Sequence, residues 1–133
     1  MSFDLEEKKL FKLVRSMKTR RVVCVDLDGC LAKFSKWKGF LKIGEPIKKT
    51  VDLVRKLKKG GCEIIIYSCR VTTADHAVYI PSVKNIEKWL KKNKIPYDEI
   101  WTKLGKPYGH AYLDDNCYSI NCTSCMTAFN EIF

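Results

Sequence analysis

Apolar residues fall along this chain in short runs of distinct period. Phe3, Leu10, Phe11, Leu13, Val14 and Met17 recur at roughly helical spacing and predict an amphipathic helix over residues 4–17, inside an N-terminal segment of residues 1–20 that packs on the core. Val22-Val23-Cys24-Val25 is a continuous apolar run, the mark of a strand buried on both faces, and it ends at Asp26. Ile47, Val51, Val54 and Leu57 share one face of a helix that starts at Glu45-Pro46, with the proline in its first turn and Gly60-Gly61 closing it. Glu63-Ile64-Ile65-Ile66-Tyr67 is a second buried strand. Val83, Ile86 and Leu90 mark the next helix, which follows Pro81-Ser82 and stops before Ile95-Pro96. Two shorter strands come last, Tyr97 to Trp101 and Ala111-Tyr112-Leu113.

The order strand, helix, strand, helix, strand, strand predicts one α/β domain spanning residues 1–133, with a mostly parallel central sheet and right-handed crossovers. Residues 31–44 hold Phe34, Trp37, Phe40 and two glycines among lysines, without periodicity, and read as a short flap or hairpin beside the end of the first strand. The C-terminal segment 117–133 is ambiguous, although Met126, Phe129, Ile132 and Phe133 fit a short docking helix.

Hydrophobic content of 46% and charged content of 30% are those of a folded globular chain. No apolar run approaches the roughly 20 residues that cross a membrane, and Met1 to Glu7 lack the basic-then-apolar order of a signal peptide, so a cytoplasmic protein is expected. The formal charge of +10 favours polyanions or phosphorylated substrates, nucleic acid among them. Much of it has a plainer account, since Lys48-Lys49, Lys58-Lys59 and Lys91-Lys92 suit solvated helix faces. Seven cysteines do not pair evenly, and Cys24, Cys62 and Cys69 lie in or beside the core strands, where thiols act as small hydrophobes. Cys117, Cys122 and Cys125 could join His110 at a zinc ion, but only one ligand motif is present where zinc sites usually carry two.

Charge becomes informative at the strand ends. Asp26-Leu27-Asp28-Gly29 sets two carboxylates where the first strand leaves the sheet, ahead of a glycine that permits a sharp turn. A plain turn explains those four residues equally well by themselves. Ser68 then ends the second strand, Lys106 precedes the fourth, and Asp114-Asp115 ends it. In a parallel sheet these ends share the edge at which α/β proteins bind ligands. Four carboxylates there require a cation, and oxygen ligands suit Mg2+. Lys106 and Ser68 add a point charge and a hydroxyl donor for a phosphate.

In that order, over residues 21–116, the motifs resemble those of the haloacid dehalogenase-like (HAD) superfamily of phosphohydrolases. Asp26-Leu27-Asp28-Gly29 is similar to its first, Ser68 after Ile64-Ile65-Ile66-Tyr67 to its second, Lys106 in Gly105-Lys106-Pro107 to its third and Asp114-Asp115 to its fourth. The resemblance implies a Rossmann-like three-layer sandwich and a phosphomonoester hydrolase. Asp26 would be the nucleophile that forms an aspartyl-phosphate, and Asp28 the general acid and then base. Mg2+ would be held by Asp26, the Asp28 backbone carbonyl, Asp114 and Asp115. Ser68, Lys106 and backbone N–H groups around Leu27 and Cys69 would bind the phosphoryl oxygens. Two departures stand out. The fourth motif has no further acid in Asn116-Cys117-Tyr118-Ser119-Ile120, and only the 31–44 flap fits where a substrate-selecting cap would insert. A capless member has an open site, suited to a nucleic-acid end, a phosphoprotein, or a small phosphate ester enclosed by a neighbouring subunit.

Arg70 could bind a substrate phosphate or carboxylate, or make a surface ion pair. Trp37 and Phe40 could stack on a sugar or base, or pack on their own domain. His76 reads as a solvated loop residue and His110 as structural. Two other functions stay open. A receiver-like phosphoacceptor domain combines the same groups, but with its acidic pair early and its phosphoacceptor mid-chain. A non-catalytic basic module that binds nucleic acid accounts for the charge and leaves the strand-end motifs unexplained.

Overall fold

The computed structural model describes residues 7–10, 21–72, 75 and 77–114. The elements run β1 (Val22–Asp26), α1 (Lys48–Lys59), β2 (Glu63–Tyr67), α2 (Ile80–Lys92), β3 (Glu99–Ile100) and β4 (Ala111–Leu113). All four strands pair in parallel in the order β3-β2-β1-β4. The chain is therefore a small Rossmann-like α/β fold. It steps from β1 to β2 to β3 in one direction, then returns to the other side of β1 for β4. Right-handed crossovers that step the same way lay α1 and α2 on one face. The reversal at β1 makes the carboxyl ends of β2, β1 and β4 the crevice where such sheets place ligands.

The continuous apolar runs explain the central pair. Val23, Cys24 and Val25 of β1 and Ile64, Ile65 and Ile66 of β2 are buried, as strands covered on both faces must be. Val51, Leu53, Val54 and Leu57 of α1 and Ile86 and Leu90 of α2 cover them, together with Leu10, Leu27, Leu31 and Val71. Asp26 is level with Tyr67, and Val25 with Leu113, so the first residue beyond β4, Asp114, comes level with Asp26.

Several expected boundaries move, each for a local reason. Helix α1 starts at Lys48, not at Glu45-Pro46, because Pro46 bridges to Ala32 and the Ile47 N–H donates to the Leu31 carbonyl at 2.7 Å. Those residues close the flap instead of starting a turn of helix. Strand β3 keeps two residues of the five expected, since the Asp98 carboxylate accepts the Ile64 N–H at 2.7 Å, a donor that a longer β3 backbone would have used. The flap is an irregular loop and not a hairpin. Its base is pinched where the Lys33 N–H donates to the Glu45 carbonyl, and a Cβ on Gly44 would lie 2.0 Å from the Lys33 carbonyl oxygen. Cys69 is exposed and is not a core thiol, whereas Cys30 is fully buried; the chain leaves the sheet at Ser68, and Arg70 turns inward in its place. Of the expected 4–17 helix, residues 7–10 are described and helical, with Leu10 in the core and Glu7 paired to Lys56 at 2.7 Å. His76, Asp115, Cys117, Cys122, Cys125 and the rest of the 117–133 segment lie outside the described residues. No described helix is long and apolar enough to cross a membrane.

Candidate active site

The turn after β1 is built around Leu27, which is fully buried and leaves Asp26 and Asp28 half-buried on either side of it. The Leu27 N–H donates to the Asp26 side chain at 2.8 Å, and the Ala32 N–H donates to the Leu27 carbonyl at 2.9 Å. Gly29 completes the turn at φ 79°, a left-handed conformation open to glycine at little cost. The expectation that the Leu27 amide helps bind a phosphoryl group meets an amide already bonded to Asp26.

Asp28 has a partner the sequence left open. Arg70, only 1% exposed, donates to both of its oxygens, Nε–H to Oδ2 at 2.6 Å and Nη2–H to Oδ1 at 2.9 Å. The opposite edge of the guanidinium donates to the Gly39 and Phe40 carbonyls at 2.9 and 3.0 Å, and the Trp37 ring lies over it at 4.8 Å. The expected ion pair of Arg70 with a nearby acid thus forms, but buried and not on the surface, and it ties the β1 turn to the flap tip. A forked pair fixes the direction of the Asp28 carboxyl, while each oxygen keeps a lone pair that Arg70 does not use.

Ser68 and Lys106 meet on the other side. Both line an open pocket of 280 Å³ with Tyr67, Cys69, Trp101 and Lys103. The Ser68 hydroxyl oxygen accepts the Arg70 N–H at 3.2 Å. The Lys106 ammonium rests over the Tyr112 ring at 4.2 Å, a cation–π contact that aims an otherwise flexible side chain. The Tyr112 hydroxyl donates to the Pro107 carbonyl at 2.7 Å and accepts the Gly109 N–H at 3.0 Å, so one residue of β4 ties down the stretch just after Lys106, while the Trp101 indole N–H donates to the Gly105 carbonyl at 2.9 Å just before it. Cys24 packs beneath the same loop, its thiol 3.7 Å from the Tyr108 carbonyl oxygen. The loop can lie this close because position 109 is glycine; a Cβ there would meet the Cys24 sulfur at 2.5 Å. His110 is structural, its Nδ1 accepting the Val22 N–H at 3.0 Å.

Negative charge gathers between the two sides. Burial pushes the Tyr67 phenol well above its ordinary value, and Asp26 and Asp114 add to the effect. Burial likewise raises the Cys69 thiol, with Asp26 and Asp28 adding to it. Among the described residues no group of three or more His, Cys, Asp or Glu side chains is arranged to hold a metal. Asp26 and Asp114 make a pair of carboxylates at adjacent strand ends. Mg2+ keeps several waters and needs one or two carboxylates beside a substrate phosphate, so this donor set fits it.

The fold therefore brings Asp26, Asp28, Ser68, Lys106 and Asp114 to one sheet edge. Sequence reasoning missed Tyr112 as the seat of Lys106 and Cys24 as the floor of its loop. Tyr112 did carry a signal, because it alternates with the buried Ala111 and Leu113 and so had to face the other way.

No family model matches the chain, and neither does any curated protein. The crystal structure of an MCSG target from Vibrio cholerae is similar, with 24% identity and a TM-score of 0.57 over 84% of this chain and 98% of that one. At that identity the likeness establishes the α/β fold and leaves the chemistry to the residues of the site.

Proposed function

We propose that the chain is a Mg2+-dependent phosphomonoester hydrolase of the HAD-like kind, with Asp26 as its nucleophile. The observation that carries this reading is the strand order β2-β1-β4, which lines up Ser68, Asp26 and Asp114 at adjacent carboxyl ends with Lys106 beside them. A nucleophilic carboxylate, an orienting hydroxyl and a cation for the phosphoryl oxygens are the groups that phosphoryl transfer needs.

Asp26 attacks phosphorus as the ester P–O bond breaks, giving an aspartyl-phosphate, and the departing oxygen takes a proton from Asp28. Water then attacks the acyl phosphate and gives a proton back to Asp28, which frees phosphate and restores Asp26. Arg70 keeps the Asp28 carboxyl aimed through both steps. Lys106, braced on Tyr112, and the Ser68 hydroxyl hold the non-bridging oxygens. Asp26 and Asp114, with the Asp28 carbonyl and Asp115 as the resemblance implies, would hold the Mg2+, which supplies charge neutralisation at those oxygens.

The test is phosphate release from a broad panel of phosphomonoesters, with and without Mg2+, beside Asp26→Asn. The reading predicts Mg2+-dependent turnover that falls by about 10³-fold or more in the variant, as loss of a nucleophile does. Asp26→Asn as active as the parent would contradict it.

A further inference from the structure

We propose that the flap is a landing platform for single-stranded nucleic acid, which delivers a terminal phosphate to the Asp26 edge; the delivery step rests on the hydrolase reading, the binding step does not. Between Asp28 and Glu45 the chain has four lysines and no acid. Lys33, Lys36, Lys38 and Lys42 are all exposed, and they line one 190 Å³ cavity together with Phe34. Phe34, Trp37 and Phe40 are interleaved with them and stay 48%, 49% and 37% exposed.

Half-exposed rings are costly to leave in water, and cations alternating with them match a strand of phosphates and unstacked bases. An acidic peptide would use the lysines and leave the rings idle. A duplex hides its base faces, which makes a single strand the better match. The platform also has a fixed relation to the site: Arg70 holds the Gly39 and Phe40 carbonyls with one edge and Asp28 with the other, and it lies under Trp37. A second set of the same character stands across the edge, where Lys103 lies 5.2 Å over the Trp101 ring and Tyr108 is 75% exposed. A strand passing from the flap to that loop crosses the Asp26 turn.

Binding is read on Asp26→Asn protein, where turnover cannot interfere, by fluorescence anisotropy with DNA and RNA oligonucleotides of about 12 nucleotides, within the usual site sizes. A duplex of the same sequence and a poly-glutamate peptide are the competitors. Four lysine–phosphate contacts, at about 0.7 counterions each, predict an affinity that falls roughly 50-fold between about 50 and 200 mM salt. Replacing Lys33, Lys36, Lys38 and Lys42 with Gln should abolish most of that dependence, and Phe34→Ala should cost about tenfold as a lost stacking partner. Lys88→Gln with Lys91→Gln, on α2, should change binding less than twofold, and melting curves of each variant verify the fold.

Equal binding of duplex or peptide, or an equal loss in the α2 variant, overturns the platform, since bulk charge then explains the result. If oligonucleotide binds as expected but no ester is hydrolysed, the enzyme reading falls and the platform stands. Hydrolysis of small esters by a protein whose flap variant binds strands as tightly as its parent does the reverse.

Discussion

The two sides of the candidate site are built in opposite ways. On one side Arg70 is buried, paired in a fork to Asp28 and bonded to two flap carbonyls. On the other, Lys106 is exposed over a tyrosine ring, in a loop tied by the Tyr112 hydroxyl, the Trp101 indole N–H and the Cys24 thiol. In the proposed reaction the first arrangement would set the direction of the carboxyl that carries the proton. The second would present the cation to phosphoryl oxygens from a ring contact and not from a locked ion pair. Stability should therefore depend on the Arg70 side, and the response to substrate on the Lys106 side.

That contrast is sharpest in paired substitutions. Removing one partner of a buried ion pair leaves the other charge uncompensated, so Arg70→Ala should cost about 3–5 kcal/mol. Lys106→Ala changes an exposed side chain and should stay within about 0.5 kcal/mol of the parent while phosphate release collapses. Thermal melts of both variants, set beside their phosphate release, check this. Equal destabilisation would dissolve the distinction between the sides.

A smaller effect probes how the Lys106 loop is seated. Gly109→Ala puts a methyl 2.5 Å from the Cys24 sulfur. Overpacking of this kind costs about 1–3 kcal/mol. Cys24→Ala should relieve most of it, and a double-mutant cycle by denaturant unfolding measures the coupling. Additive losses would mean that the loop does not rest on that thiol.

The smallest effect per unit of change is alkaline. Burial raises the Cys24 thiol from 9.0 to about 12. Below pH 9 the thiol is neutral in both states and contributes no pH dependence. Between 9 and 12 the unfolded chain gives up a proton that the folded chain retains, so stability falls as pH rises, by at most about 1.4 kcal/mol per unit for this group. Melts of Cys24→Ala above pH 9 should have a shallower slope than the parent, and an unchanged slope would remove Cys24 from the account.

Much of this fold could be read from residue patterns because its signals are local. Val22 to Val25 and Ile64 to Ile66 are continuous apolar runs, and each lies at the centre of the strand expected. Pro81 and the Val83, Ile86, Leu90 face placed α2 for the same reason. The start of α1 differs from the expectation because Pro46 suits a first helical turn as well as it suits the bridge to Ala32, and only the approach of Ala32 decides. Site residues divide in the same way. Asp26, Ser68 and Asp114 follow from strand ends and parallel pairing. The pairing of Arg70 with Asp28 spans 42 positions, and nothing periodic announces it. Alternation in β4 turns Tyr112 away from Ala111 and Leu113, but that Lys106 comes to lie over it depends on the path of a loop, which residue type does not encode.

The central claim is that Asp26 accepts the phosphoryl group. It is tested most directly by acid-quenching the protein during turnover of a phosphate ester that it hydrolyses, then mapping any added phosphoryl mass by peptide mass spectrometry. The account predicts one phosphoryl group on the peptide that carries Asp26, absent from Asp26→Asn. A phosphoryl group on a different residue, or steady turnover by Asp26→Asn with no phosphoryl on the protein, would contradict it.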